Sequence, residues 1–417
     1  MRLLYLPAYY EPEKFSGFYL NKNIIEAYLQ ENQNNQVIIY TPTPTRGIDK
    51  ETRKRYKKKK KEELYNGRLK IYRYTLPVEK NNSIQRALRY ILQGIIQIIK
   101  TIRLKDIDVL MMSSTPPTNG IVGSIIKKIK KIPFVYNLQD IFPDSLLSTK
   151  IIKKKALIYK IGKKMEIITY KNADIINVPS LDFKENLKEK GVMLNKINVI
   201  YNWVDEEVVK PIDKKKNTIF EELNLDRQKF NIVYAGNIGK AQNIELILDV
   251  AKELKDKSDI QFIILGNGTE KEKIYQIAND EKLDNVKIFP LQPFEKASNV
   301  YSMSDISIVI CKKGFGHISI PSKTWNIMAT RTPIVASFDQ GTRLQKIIEE
   351  NKIGIFAKAD DKEELKTAIM KFYEDRNLIK EYGYNAMKFV ESNLTKDVGT
   401  KKYIESIKKL ENKKERK

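Results

Sequence analysis

A chain of 417 residues is too long for one ordinary hydrophobic core and fits two domains of roughly 200 residues each. Its 41% hydrophobic and 31% charged residues exclude a disordered or fibrous protein. The formal net charge of +24 is concentrated in residues 1–200, where 38 Lys+Arg stand against 18 Asp+Glu (+20), while residues 201–417 hold 38 against 34 (+4). A basic half predicts an anionic partner, nucleic acid or a lipid surface; an AT-rich genome, which favours Lys, Ile and Asn, is the alternative explanation.

Cysteine usage and the amino terminus bear on the cellular compartment. Cys311 is the only cysteine, which excludes an intramolecular disulfide, and the chain starts MRLLYL without a signal-peptide pattern. The closest approach to a membrane span, residues 90–104, is interrupted by polar side chains and falls short of the ~20 apolar residues required. We therefore expect a cytoplasmic protein that lies on a membrane at most.

Short apolar strands alternate with helix-length amphipathic stretches in both halves, which predicts an α/β protein with two doubly wound parallel sheets. In the first half we predict strands at 2–6, 36–40, 69–74, 108–112, 133–137, 175–178 and 197–200, and helices at 17–29, 84–100, 119–130, 154–170 and 181–190. In the second half we predict strands at 230–234, 260–265, 286–289, 306–310, 334–336 and 354–356, and helices that include 243–254 and 271–281.

The polar stretch at 205–217 predicts the domain boundary, because few contacts should cross it. The expected domains are 1–205 and 206–394, and an amphipathic helix within 395–417 should pack back on the first domain. Segment 51–61, ETRKRYKKKKK, has eight basic residues in eleven. Because like charges repel at this density, we predict a mobile loop there that contributes nothing to the core.

Segment 314–336, GFGHISIPSKTWNIMATRTPIVA, is typical of a Gly-rich loop, a helix at about 323–329 and a strand. A helix amino terminus offers unpaired N–H groups and the positive end of its dipole, which favour a bound phosphate. Ser322 stands at the predicted N-cap, and Lys323 adds a full positive charge next to Thr324. The segment predicts a diphosphate cradle, with an ordinarily capped helix as the alternative.

Two further glycine motifs follow the first strands of the second half, YAGNIGK at 234–240 and LGNGTE at 265–270. Glycines at the carboxyl ends of parallel strands let the backbone approach a ligand at one edge of the sheet. Lys240 is placed to reach the same phosphates. The candidate binding residues at this edge are Gly236, Asn237, Gly239, Gly266, Gly268 and Pro290.

These motifs in this order, with SSTPP and QDIFPDS in the first half, resemble the retaining glycosyltransferases of family 4 over almost the whole chain. The sequence is most similar to bacterial enzymes of O-antigen, capsule and colanic-acid assembly, in particular those likened to N-acetyl-L-fucosamine transferases. The resemblance implies the GT-B fold, with two facing Rossmann-like domains, an active site between them and a carboxyl-terminal helix that crosses back to the first domain. It also implies a UDP-sugar donor as substrate and no metal or cofactor.

The resemblance assigns roles residue by residue. Ser16 and Gly17 occupy the place of a Gly-Gly turn beside the donor diphosphate, with Ser16 replacing the first glycine. Asp140 falls at a His-Asp position that faces the donor sugar or the acceptor, and Gln139 stands where many relatives have histidine. Asp140, Lys240 and Lys323 are therefore the expected catalytic residues, the two lysines stabilising the departing diphosphate.

The sequence departs from the family at a pair of glutamates spaced eight apart, where it has Ile318 and Asn326. Asn326 can still hydrogen-bond to a ribose hydroxyl. The first glutamate normally contacts the donor sugar, so sugar recognition must differ. Candidates for that contact are Ser319, a backbone group, and His317, the only histidine.

If the chemistry is that of the family, the sugar passes with retention of configuration to a saccharide linked to undecaprenyl diphosphate. An acceptor of this kind explains the basic half, which would attract the anionic cytoplasmic face of the inner membrane.

Two other classes of function remain open. A non-hydrolysing UDP-sugar 2-epimerase uses the same two-domain architecture, although a chain with one histidine offers few acids and bases. A nucleic-acid-binding protein would use the basic half, but the interleaved aromatic residues expected for stacking are absent.

Overall fold

The computed structural model describes residues 1–13, 18–79, 82–145, 156–316 and 320–414. The chain divides into two compact units, the first comprising Met1–Asn202 with Gly399–Lys417 and the second Trp203–Val398. In the ranges described, no helix combines the length and the apolar content needed to cross a bilayer.

The first unit is built on an eight-stranded sheet. Its strands are β1 Arg2–Tyr5, β2 Gln36–Pro42, β3 Lys61–Leu64, β4 Leu69–Tyr74, β5 Val109–Ser113, β6 Phe134–Asn137, β7 Ile175–Val178 and β8 Ile197–Val199. The strand order is β3-β4-β2-β1-β5-β6-β7-β8, and all neighbours are parallel except β3 and β4. All seven strands predicted in this half are present, because each is an apolar run bounded by polar residues.

The helices of the first unit are α1 Phe18–Glu31, α2 Lys50–Lys58, α3 Ser83–Ile102, α4 Asn119–Lys130, α5 Leu157–Asn172 and α6 Leu181–Glu189. The central strands are buried along their length, and Leu4, Leu110, Phe134 and Ile176 form part of one core cluster. Such continuous apolar strands are expected where helices cover both faces of a parallel sheet.

The prediction of a loop at 51–61 was wrong. Residues 50–58 form α2, and Lys61 begins β3, which pairs antiparallel with β4. Asp49 caps the helix by accepting a hydrogen bond from the Thr52 N–H at 2.8 Å. The charges are tolerated because no residue of α2 is buried and the Lys59 side chain forms an ion pair with Glu62 at 2.6 Å.

The second unit contains a six-stranded parallel sheet. Its strands are β9 Phe230–Asn237, β10 Ile260–Asn267, β11 Val286–Phe289, β12 Ile306–Ile310, β13 Ile334–Phe338 and β14 Gly354–Lys358. The order is β11-β10-β9-β12-β13-β14, so the chain runs outward from β9 and then returns to add β12 on its other side. Open α/β sheets bind ligands at the carboxyl ends of strands at such a reversal.

The helices of this unit are α7 Ile219–Glu222, α8 Ile244–Glu253, α9 Lys271–Asp280, α10 Ala297–Ser302, α11 Lys323–Ala329, α12 Arg343–Glu350, α13 Lys362–Glu374 and α14 Asn377–Asn393. The segment 205–217 is attached to the second unit and is not a free linker. The N–H groups of Lys210 and Ile212 donate to the hydroxyls of Ser298 and Ser302, at 2.8 and 3.0 Å.

The last helix, α15 Lys396–Lys414, belongs to the first unit from Gly399 onward. It buries Tyr403, Ile404, Ile407 and Leu410. The Tyr403 hydroxyl donates to the side-chain oxygen of Asn137, the last residue of β6, at 2.7 Å. The helix is therefore fixed both by apolar contacts and by a buried hydrogen bond to the sheet.

Candidate functional site

The two glycine motifs of the second unit lie side by side. In the register of β9 and β10, Gly236 pairs with Gly266 and Asn237 pairs with Asn267. A Cβ on Gly266 would overlap the backbone oxygen of Gly236, and the Ile238 N–H donates to the Asn267 oxygen at 2.9 Å. Glycine is thus required at position 266 by close backbone approach, and the two loops form one rigid ledge at the edge of the sheet.

The remaining glycines shape the same ledge. A Cβ on Gly268 would overlap the backbone oxygen of Ile238, whereas a Cβ on Gly239 would meet the side-chain amide of Asn237 at 2.7 Å. That amide donates to the Gln242 side-chain oxygen at 3.0 Å. Gln242 was not singled out in the sequence, because a glutamine in a loop carries no pattern.

Lys323 reaches this ledge from α11. Its Nζ lies 3.7 Å from the centre of the Tyr234 ring and within 3.4 Å of the position that a Cβ on Gly236 would occupy. The Tyr234 hydroxyl donates to the Asn237 backbone oxygen at 2.6 Å. The structure therefore brings together the PSK segment and the GNIG loop, and it adds Tyr234, whose role the sequence did not reveal.

The Lys323 ammonium has no carboxylate partner among the residues that the structure describes. Desolvation lowers the pKa of Lys323 to about 7. A half-buried ammonium whose partner in the described part of the unit is an aromatic ring is electrostatically incomplete, because the ring offsets only part of the desolvation cost. The arrangement favours an anion bound next to Gly236.

The amino terminus of α11 offers fewer free donors than the sequence suggested. The N–H of Thr324 donates to the Pro321 oxygen at 2.9 Å, and that of Trp325 to the Ser322 oxygen at 3.3 Å. The Ser322 side chain makes no capping hydrogen bond. The Thr324 hydroxyl is buried without a hydrogen-bond partner in the described chain, and Asn326 is partly exposed. The positive charge at this terminus is therefore that of the Lys323 ammonium, and it does not come from a set of unpaired backbone N–H groups.

Lys240 and Pro290 lie at the same edge of the sheet. Lys240 follows the GNIG loop with its side chain exposed, and no ion pair to a described residue holds it. Pro290 directly follows β11, whose last residue, Phe289, pairs with Leu265 next to Gly266. Both positions are accessible to a ligand at the ledge.

The loop that precedes α11 is fixed by a carboxylate that the sequence did not indicate. The Asp339 side chain accepts hydrogen bonds from the N–H of Gly314, at 2.9 Å, and of Gly316, at 2.7 Å. Asp339 directly follows β13 and is buried. An acidic residue at the carboxyl end of a buried strand was the available signal, but its partners lie more than twenty positions away in the chain.

Asp140 lies in the first unit, after β6. Its backbone N–H and that of Gln139 both donate to the Ser114 hydroxyl, at 3.1 and 2.9 Å. Desolvation raises the pKa of Asp140 above its ordinary value, while the Ser145 hydroxyl, which donates to the carboxylate at 3.3 Å, lowers it. The backbone at Asp140 is thus held by Ser114 while the residue itself is exposed, and its catalytic role stays a prediction.

Four predictions fall outside the described residues. These are the donor contacts at Ser16 and Gly17 and the candidate sugar contacts at His317 and Ser319, next to Ile318.

Family models match both halves of the chain. The Glycosyltransferase Family 4 model matches residues 25–208, and the model of glycosyl transferases group 1 matches residues 215–389. This chain is a glycosyltransferase whose two halves match these two family models. The match favours a transferase over the epimerase and the nucleic-acid-binding protein that the sequence left open.

Relatives of this glycosyltransferase align with different fractions of its length. It is 25% identical over 99% of both chains to MJ1069 of Methanocaldococcus jannaschii, an uncharacterized glycosyltransferase. It is also 25% identical, over 66% of its own length and 68% of the relative, to WbjE of Pseudomonas aeruginosa, named a probable glycosyltransferase.

Solved structures share the fold of this glycosyltransferase. HepE (Alr3699) of Anabaena, in complex with UDP, superposes with a TM-score of 0.71 at 13% identity and covers 98% of this chain and 100% of its own. Sucrose-phosphate synthase of Thermosynechococcus elongatus superposes with a TM-score of 0.72 at 14% identity over 98% and 99% of the two chains. The predicted GT-B fold is confirmed.

Proposed function

We propose that this glycosyltransferase moves a sugar from a UDP-sugar to a saccharide linked to undecaprenyl diphosphate, with retention of configuration, during assembly of a surface polysaccharide. The transferred sugar in this proposal is N-acetyl-L-fucosamine or a related amino or deoxy sugar. The observation that carries the proposal is the Lys323 ammonium, which lies over the Tyr234 ring next to Gly236 and lacks an anionic partner in the described part of the unit.

Cleavage of a glycosyl phosphate bond builds negative charge on the departing diphosphate. Lys323 is preorganised to stabilise that charge, because its position is fixed before the ligand arrives. Lys240 is exposed beside the same loop and adds a second cation. Electrostatic stabilisation by groups that do not have to reorient is usually the largest catalytic contribution, so no metal is required in this proposal.

The ledge formed by the two glycine loops allows a ligand to contact the protein backbone. Gly266 and Gly268 are required because the loops pack backbone to backbone, and Gly236 places no side chain between the Lys323 ammonium and an approaching diphosphate. UDP is supported as the nucleotide because HepE, a protein of the same fold, is described in complex with UDP, with UDP and glucose, and with UDP-glucose. Asn326 remains the proposed contact of the ribose, and Asp140 the carboxylate that serves the reacting sugar.

The acceptor is proposed from chemistry and from relatives. WcaI of Escherichia coli, 27% identical over 54% of this chain, is named for colanic acid biosynthesis, and WaaG, with a TM-score of 0.66, for lipopolysaccharide biosynthesis. Both names concern cell-surface glycans. A lipid-linked acceptor also gives the +20 charge of residues 1–200 a role at the anionic cytoplasmic face of the inner membrane.

Donor binding is tested first with UDP and a panel of UDP-sugars by calorimetry. Lys323→Ala should weaken UDP binding about tenfold to hundredfold, as expected when a charged hydrogen-bonding partner is lost. The matched control is Lys380→Ala, which removes an exposed lysine of α14. Equal UDP affinity in the two variants would contradict the proposed site.

Transfer is tested with a prenyl-diphosphate-linked N-acetylglucosamine acceptor and each sugar nucleotide that binds. The proposal expects a product one sugar heavier, with the anomeric configuration of the donor in the proton spectrum. Isomerisation of the nucleotide sugar without an acceptor would support the epimerase instead, and an inverted product would contradict the retaining mechanism.

A further inference from the structure

Helix α3 is packed with its polar side inward. Its fully buried side chains are those of Arg89, Gln93, Gln97 and Thr101, spaced four residues apart on one face. The opposite face exposes large apolar side chains, which include Leu88 at 61% and Ile91 at 52%. In a water-soluble helix the apolar stripe faces the core, so this helix has the reverse orientation.

Helix α5 shows the same reversal. It buries Gly162, Glu166 and Thr169 together with Tyr170, and it exposes Leu157 at 73% and Ile167 at 62%. The Glu166 carboxylate is neutralised below the surface by Lys163 and Lys190. The buried carboxylate of α5 is therefore paired locally, whereas the Gln93 amide and the Thr101 hydroxyl of α3 are buried without a hydrogen-bond partner in the described chain.

The exposed sides join into one surface through α4. A Cβ on Gly94 of α3 would meet the Val122 side chain of α4 at 2.7 Å, and a Cβ on Gly120 of α4 would overlap the Thr169 side chain of α5. The three helices thus pack closely in the order α3, α4, α5. We call their outer surface the aliphatic face, formed by Leu88, Ile91, Leu92, Ile95, Ile99, Ile102, Ile125, Ile129, Leu157, Ile158, Ile161, Ile167 and Ile168.

The aliphatic face holds thirteen of the twenty-one large apolar side chains that are exposed in the described ranges. A contiguous patch of this kind marks an interaction surface. All thirteen residues are leucine or isoleucine, whereas surfaces that bind proteins are enriched in tyrosine, tryptophan and arginine. The composition therefore favours hydrocarbon over a protein partner.

The charged residues around the aliphatic face indicate the charge of the lipid headgroups that it would meet. Lys100, Lys128, Lys160 and Lys164 lie on the same three helices, and none forms an ion pair with a residue that the structure describes. Two copies of the chain would bring these lysines together and repel each other. An anionic bilayer satisfies both the lysines and the apolar side chains.

We infer that the aliphatic face inserts into the acyl region of an anionic bilayer, so that apolar burial and not charge dominates membrane attachment. This deepens the proposed function, which requires only attraction to an anionic surface. The two differ in one respect: electrostatic attraction is screened by salt, whereas hydrophobic insertion is not.

The experiment measures co-sedimentation of the full chain with phosphatidylcholine vesicles that contain phosphatidylglycerol, at low salt and at about 1 M salt. The wild-type chain should stay bound at high salt. Replacement of three residues of α3, Ile91→Gln, Ile95→Gln and Ile99→Gln, should reduce the bound fraction at high salt at least tenfold. The matched control carries Leu64→Gln, Met193→Gln and Leu194→Gln, three exposed apolar positions of the same unit outside the face, and should bind like the wild type.

Release of the wild type by high salt would overturn the inference, as would equal binding by the two triple variants. A dimer in light scattering that only the α3 variant dissociates, with vesicle binding unchanged, would also overturn it and assign the face to a second copy. UDP binding and the melting curve of each variant report on the fold and on the donor site without lipid, so failure of the insertion and failure of the proposed transferase activity are distinguished.

Discussion

The Nζ of Lys323 lies 3.7 Å from the centre of the Tyr234 ring and 3.4 Å from the position that a Cβ on Gly236 would occupy. Desolvation at this position lowers the pKa of Lys323 to about 7. The group is therefore about half charged near neutral pH before any ligand binds. An incoming diphosphate favours the charged form, so binding and protonation of Lys323 are linked.

Donor affinity should fall as the pH rises through 7. Below pH 7 Lys323 is mostly protonated in the free protein. Above pH 7 it is mostly neutral, so it must take up a proton when the donor binds. We expect the dissociation constant of a UDP-sugar to rise about tenfold between pH 6 and pH 8, with uptake of close to one proton at pH 8. Calorimetry in buffers of different ionisation enthalpy measures both quantities.

Arginine supplies the control for this linkage, because its guanidinium stays charged throughout the range. Lys323→Arg should bind a UDP-sugar with little dependence on pH and without proton uptake. A UDP-sugar is used because its diphosphate has no ionisation between pH 6 and pH 8. Proton uptake that persists in the arginine variant would assign the effect to another group.

The glycines of the ledge should differ sharply in their tolerance of a methyl group. Gly266→Ala forces a Cβ against the backbone of Gly236, which cannot move without opening β9 from β10. We expect it to destabilise the second unit by about 1–3 kcal/mol and to weaken UDP binding. Gly239→Ala meets only the side-chain amides of Asn237 and Gln242, so the melting temperature should stay close to that of the wild type. Equal melting temperatures of the two variants would count against the close approach of the loops.

Sequence patterns predicted the strands well because each is a short apolar run between polar residues. The bounds of β4, β7, β11 and β12 agree at both ends, as do those of α4 and α11. The loop predicted at 51–61 was wrong because charge density was weighed above the cap at Asp49. In this segment the helix cap determined the local structure, and the mean charge did not.

The orientation of α3 could not be predicted from periodicity. The spacing of its apolar residues indicates a helix with two faces, but it does not say which face meets the sheet. The usual rule would have buried Ile91 and Ile95 and exposed Gln93 and Gln97, the reverse of the structure. The Asp339 contacts were hidden for a different reason, since they join the loop before α11 to the residue that follows β13.

Asp339 should govern donor binding by holding the loop before α11. Its carboxylate accepts the N–H groups of Gly314 and Gly316, so Asp339→Ala leaves two donors without their partner. We expect about a tenfold or larger rise in KM for the UDP-sugar, as a lost hydrogen bond to a charged group is worth about 1.5–3 kcal/mol. Steady-state kinetics with saturating acceptor provide the measurement.

Asp360→Asn is the matched control for Asp339, since Asp360 accepts one N–H of the same loop, from Lys313 at 3.1 Å, in an exposed contact. Exposed hydrogen bonds exchange with water at little cost, so KM should change less than twofold to threefold. A larger effect at Asp360 than at Asp339 would show that burial does not decide the contribution of these carboxylates.

The hydrogen bond from Tyr403 to Asn137 should stabilise the attachment of α15 to the first unit. Tyr403→Phe keeps the ring in its buried site and removes only the hydroxyl, which donates to the Asn137 oxygen at 2.7 Å. That oxygen still accepts from Gln139 at 2.9 Å, so the loss should be about 0.5–1.5 kcal/mol and not a full desolvation penalty. Hydrogen exchange should become faster in peptides of α15 and β6, while peptides of the second unit serve as the internal reference.

Tyr384→Phe, at an exposed position, is the control and should leave every peptide unchanged. Faster exchange across the whole chain in the Tyr403 variant would mean that the hydroxyl supports global stability and not the local attachment of this helix.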